Sequence, residues 1–282
     1  MGTRVTRNTR DPRWVPGLRG RLTRRLKDMK QAPFVLAASA GPKALDRNET
    51  RRFMVLVGNS IIRNFPYWLD VLNARVEGAY KKACNLRKNR RLRKRLKELF
   101  AHLSRFLRAN RIQERHHWKW WFDWADVYGL KKKDFEPGRA VTCYGSEMLT
   151  QHLEHMVWTA PLVCAVASLN LVIESLSAHL SAIVYKGIGA SLTEKAGQWL
   201  KEHAEGDPEH SADAWEFVKR LAAAEGRRFD LITLQVSVDA TSDLFNLALH
   251  GAYRRPEHRK DILAQRQSAT DQAMFRRKIM AT

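Results

Sequence analysis

The run Met156–Tyr185, MVWTAPLVCAVASLNLVIESLSAHLSAIVY, constrains the fold of this chain more than any other stretch. It is long enough to raise the question of a membrane span. Yet Glu174 sits near its middle, with Asn170 and His179 at helical distances and Pro161 near its start. A lone carboxylate at bilayer depth is costly. In a bundle the same text describes a helix covered on every side by neighbours. Such a helix has to give its one acid a partner, because an uncompensated buried carboxylate is strongly unfavourable or takes up a proton. A metal ion is an economical partner, and a neutral Glu hydrogen-bonded inside the core is the alternative.

The remaining text gives the neighbours. No stretch alternates convincingly and no hairpin signal occurs, so the expected fold class is all-α. At 282 residues the chain can bury a large core. Pro12, Pro16, Pro33 and Pro42 interrupt any long helix near the start, so residues 1–45 are expected to form a basic, disordered or wrapping arm. Residues 46–255 are expected to be the helical-bundle catalytic domain and 256–282 a basic C-terminal tail. Asn48 offers an N-cap, and the run from Arg51 to Val76 reads as helix with a break at Pro66. Phe217–Ala224 and Phe229–Tyr253 read as two separate helices with Gly226 between them.

A formal charge of +21 points to anions: nucleic acid, lipid headgroups, an acidic partner or an anionic substrate. The most basic stretch, residues 81–111, carries Leu92, Leu96, Leu99, Leu103 and Leu107 at helical intervals. That pattern predicts an apolar stripe packed inward and a cationic face left wet. A solvated face is the ordinary reading of such charge; around Arg87–Lys97 the functional one is a docking surface for an acidic carrier protein or an anionic membrane surface. Without zinc-finger spacing or an RNP-like motif, nucleic acid is not the expected partner. A basic nucleic-acid or membrane-binding module with incidental histidines stays open as the alternative of a different class. Cys84, Cys143 and Cys164 show no CxxC pairing, and the Arg-studded N-terminus has no apolar segment, so the expected compartment is cytoplasmic; a transit peptide is the alternative.

Three stretches carry candidate chemistry. In RIQERHHWKWWFDWADVYGL, Glu114 and His117 stand side by side on a helix, and Trp121 and Trp124 continue that face. A Glu-x-x-His pair is the unit with which helical di-iron carboxylate proteins hold metal. Glu174 is the second. In WLKEHAEGDPEHSADAW, offsets of four and three place His203, Asp207 and His210 on one narrow arc. A solvated face with two incidental histidines remains an alternative for that stretch, as an aromatic core does for the Trp stripe. His116 points about 100° away from His117, and His152 and His155 read as surface residues. Together, three carboxylates and three imidazoles make a mixed O/N set suited to two ferrous ions.

With ExxH at 114–117, a lone Glu on the apolar helix and HxxxDxxH at 203–210, the chain resembles the haem-oxygenase-like di-iron oxidase/oxygenase superfamily, a helical-bundle group whose members of this branch bind no haem. Trp121 and Trp124 after His117, NLVIE at Asn170–Glu174 and WLKEH at Trp199–His203 are similar to the branch that turns medium-chain fatty acids into terminal alkenes. The likeness covers roughly Asn110 to Leu221. It implies a haem-oxygenase-like helical bundle, two Fe(II) per chain and O₂ as co-substrate. Glu114, His117 and His203 would hold the first iron; Glu174, Asp207 and His210 would hold the second. Trp121, Trp124 and Asn170 would line the substrate pocket. The implied activity is oxidative decarboxylation of a carboxylate-bearing apolar substrate, with an external electron donor; relatives that oxidise amino-acid-type substrates supply the other enzymatic reading. Gly206 and Pro208 flank Asp207, so a kink or local unwinding is expected there.

Overall fold

The computed structural model describes residues 11–86, 89–136 and 143–253; the side chains of 207, 208 and 227 lie outside the described residues. Within it the chain is helical, with no strand among the described residues. The expected all-α class is the observed one. The helices are α1 (Val15–Met29), α2 (Pro33–Ser39), α3 (Arg47–Val57), α4 (Phe65–Cys84), α5 (Arg90–Val127), α6 (Tyr144–Trp158), α7 (Leu162–Val166), α8 (Glu174–Ile188), α9 (Glu194–Glu225) and α10 (Leu231–Ala252). Two wide π turns interrupt the regular ladder, Gly58–Ile62 after α3 and Ala167–Ile173 between α7 and α8.

The apolar run sits where its composition requires. Pro161 ends the chain path from α6 and starts a new helix, and α7, the π turn and α8 then run on through the centre of the bundle. Helices α9, α10, α2, α4 and α6 pack around this axis. Leu162–Ser191 is long and apolar enough to cross a membrane by length and composition, yet 83% of its most apolar window is buried inside the bundle. The two long helices α5 and α9 lie against each other, and α4 and α8 complete that side.

Three expectations from sequence change. Residues 1–45 are not a disordered arm over the part described: Val15, Leu18 and Met29 on α1 and Phe34 and Val35 on α2 are buried in the common core. Pro16, Pro33 and Pro42 start helices rather than preventing them, because the missing N–H falls where no intrahelical partner exists. The cap of α3 is Asp46, whose carboxylate accepts from Glu49 N at 2.8 Å, and the break in the following run lies in the π turn and Ile62–Phe65 connection, with Pro66 already inside the first turn of α4. Finally, α9 continues through Trp215 to Glu225 and ends only at Gly226, whose φ of +56° favours glycine. The tail expected over 256–282, and Arg87 within the basic stretch, lie outside the described residues.

Candidate metal centre

Helix α5 presents Asn110, Glu114, His117, Trp121 and Trp124 at alternating spacings of four and three, so one stripe runs straight down its inner face; all five are buried. Helix α9 sets Trp199 and His203 against that stripe. Glu174 arrives as the first residue of α8, directly after the π turn Ala167–Ile173. Such a turn rotates the side chains that follow it out of ordinary α register, and it recurs at functional sites.

One ligand atom each from Glu114, His117 and His203 lie within 4.8 Å of one another. The His117 and His203 rings are 4.3 Å apart between centroids. His117 Nδ1 lies 2.7 Å from Glu114 Oε2, and His203 Nδ1 donates to Trp199 O at 2.8 Å. A carbonyl can only accept, so this bond puts the His203 proton on Nδ1 and leaves Nε2 as the lone-pair atom. The Trp199 ring backs the same imidazole at 4.0 Å.

Beside this trio lies a second pair. His210 Nδ1 stands 3.5 Å from Glu174 Oε2. Glu174 Oε1 accepts from Asn110 Nδ2 at 2.5 Å and from Asn170 Nδ2 at 2.9 Å, while Oε2 makes no hydrogen bond among the described residues. Burial holds the Glu174 carboxyl well above its usual range and the charge of Glu114 pushes the same way, against the two asparagine donors. Burial holds His203 well below its usual value, with His117 adding to the effect and the Trp199 carbonyl opposing it. Burial also lowers His210.

These residues fit a metal. Neutral imidazoles are what a cation needs as ligands. Two carboxylates share a dry interior in which no Lys or Arg pairs with either of them among the described residues, and one buried oxygen is left without a donor. Divalent iron would relieve that repulsion and use the oxygen.

Of the six expected ligands, Glu114, His117 and His203 therefore form one cluster, with Glu174 and His210 as a neighbouring pair. The side chain of Asp207 lies outside the described residues; the backbone of α9 passes it as helix rather than as an unwound segment. Asn170 holds a ligand carboxylate. Trp121 and Trp124 are fully buried beneath Trp199, and Trp121 Nε1 donates to Met54 O at 3.1 Å. His152 is not a surface residue: it bridges α6 to α10 through Thr241 Oγ1 at 2.8 Å. Asn110 escaped the sequence reading, although its place four residues before Glu114 on the same stripe was a usable signal.

A buried carboxylate–imidazole cluster inside a helical bundle is a candidate metal site. The chain belongs to the iron-containing redox enzyme family, whose model matches residues 92–240. Its fold is haem-oxygenase-like. A TenA homologue from Pseudomonas syringae pv. tomato superposes with a TM-score of 0.68 at 18% identity, covering 86% of this chain and 93% of that one. A domain of unknown function with a haem-oxygenase-like fold from Shewanella denitrificans gives 0.62 at 10% identity, covering 87% and 93%. No curated protein matches the sequence significantly. These likenesses carry family and fold; they do not support a particular closeness to the alkene-forming branch.

Proposed function

We propose that this protein is an O₂-dependent non-haem oxidase that holds two irons and acts on a carboxylate-bearing apolar substrate, with medium-chain fatty acids as the first class to test. The observation that carries the reading is the convergence of Glu114, His117 and His203 within 4.8 Å, with the Glu174–His210 pair beside them. Glu114, His117 and His203 would hold one iron; Glu174, His210 and Asp207 would hold the other. Iron bound there supplies the oxidising power through reduction of O₂.

The protein's own part is positional. Trp199 fixes the His203 tautomer and shields the ring from water. Asn110 and Asn170 hold one oxygen of Glu174 and leave the other available. Two ferrous ions against three carboxylates leave about one positive charge, which favours an anionic substrate group.

The test is anaerobic reconstitution with ferrous iron, metal counting, and oxygen-uptake assays with saturated fatty acids and with amino acids. Two irons per chain and uptake stimulated by fatty acids are expected. Glu114→Ala and His203→Ala are each expected to remove about one iron and all turnover while the helical circular-dichroism signal persists. Full activity in both variants would overturn the proposal, and stimulation by amino acids alone would move the substrate class.

A further inference from the structure

Helix α5 also presents a face to an open cleft. On its outer side, this cleft of about 610 Å³ lies between α5, the end of the first π turn and the segment after Leu130. Its floor is a set of three rings. Trp118 meets Phe122 at 4.5 Å and Phe135 at 5.6 Å, and Phe122 meets Phe135 at 4.9 Å, all edge-to-face. Interlocking of this kind fixes the rings and offers a preformed apolar platform.

The rim is cationic. Arg63, Arg115, Lys119 and Lys132 are exposed, and none of their side chains makes a hydrogen bond or ion pair among the described residues. Of the two acids on the rim, Asp123 is engaged by Lys195 at 2.9 Å, leaving Glu136. Among the described residues, four unpaired cations therefore line the rim with one unpaired acid above an aromatic floor.

We propose that this cleft binds a planar aromatic molecule carrying a phosphate, of the mononucleotide class. The volume falls within the roughly 300–1,000 Å³ of small-molecule sites. The two guanidinium groups match the fork geometry that phosphate oxygens accept, and the half-buried Trp118 and Phe122, held in place by the buried Phe135, supply a stacking surface for a heterocycle. An aliphatic anion would leave the aromatic floor unused. A neutral aromatic would leave four cations unanswered. The site is separate from the metal centre: Arg115 and Lys119 point about 100° or more away from Glu114 and His117 around the helix, and the cleft is lined by none of the residues of the metal cluster.

The experiment titrates the full-length protein with flavin mononucleotide, following flavin fluorescence, with adenosine monophosphate as a competitor and riboflavin and inorganic phosphate as partial probes. Salt-sensitive binding with quenching is expected, with displacement by adenosine monophosphate and at least tenfold weaker binding of both partial probes. Arg115→Ala and Lys119→Ala are each expected to raise Kd about tenfold, the value of one lost charge-assisted hydrogen bond. Trp118→Leu is expected to weaken binding and relieve the quenching. Arg95→Ala, elsewhere on the same helix, is expected to change nothing and controls for net charge. Absence of flavin mononucleotide binding, indifference to the rim and floor substitutions, or equal affinity for inorganic phosphate would each overturn the proposal. Retention of polyglutamate without any nucleotide binding would overturn it too, assigning the cleft to an acidic polypeptide.

Discussion

Glu174 concentrates the tension between stability and function in a single side chain. Its folded-state pKa is raised, so its contribution to the stability of the metal-free protein is full below the ordinary carboxylate value of 4.5 and is lost as pH rises through the raised value. At neutral pH the metal-free fold is therefore penalised by this group. Glu174→Gln is expected to raise the Tm of the metal-free protein, most clearly toward alkaline pH, because the amide oxygen still accepts from Asn110 and Asn170 without a charge to bury. The same change is expected to cost iron at the second position. Thermal unfolding of metal-free wild type and variant from about pH 5 to about pH 9, with iron counts after reconstitution, checks both. The histidines act in the other direction. Burial lowers His152 from 6.5, so its neutral form is favoured, and stability present above pH 6.5 is lost as pH falls and the unfolded chain takes up the proton. His152→Gln is expected to reduce that acid-side loss, read as a smaller drop in Tm from pH 7 to about pH 5.

At the scale of elements, two contacts between helices carry testable consequences. Arg75 on α4 reaches the C-terminal end of α6, donating to Val157 O at 2.7 Å, to Met156 O at 3.2 Å and to Ala160 O. These carbonyls lack intrahelical partners, so the guanidinium serves as a cap supplied from another helix. Arg75→Met is expected to destabilise by about 2 kcal/mol or more, measured by urea unfolding. Gly145 lies where α6 crosses α10, and a Cβ there would fall 2.6 Å from Leu247 O. Because that neighbour is backbone, Gly145→Ala is expected to cost about 1–3 kcal/mol. Neither contact was legible in sequence. Both depend on which helices meet, and no spacing within one helix records that. The stripe Glu114–Trp124 was legible, because a helix of regular pitch turns sequence spacing directly into a shared face.

For the whole molecule, the N-terminal helices are part of the fold. Arg21 and Arg25 on α1 pair with Asp239 and Asp243 on α10, and the side chains beneath them join the common core. Leu18, Met29, Phe34 and Val35 alone, at about 1.5–3 kcal/mol each, approach the whole stability expected of a domain. Deletion of residues 1–44 is therefore expected to yield an aggregated or molten product rather than a trimmed enzyme, as judged by size-exclusion chromatography and near-ultraviolet circular dichroism. The chain's own text determined that it is helical, that Met156–Tyr185 is enclosed by its neighbours, that Glu114 shares a helix face with His117, and that His203 shares one with His210, since periodicity and the cost of a buried charge are local facts. Tertiary structure alone decided that α1 and α2 belong to the core, that a π turn delivers Glu174 to His210, and that the outer face of α5 closes a cationic cleft. Each of those depends on which separate segments meet or on how a helix is wound, and no spacing within one segment encodes that.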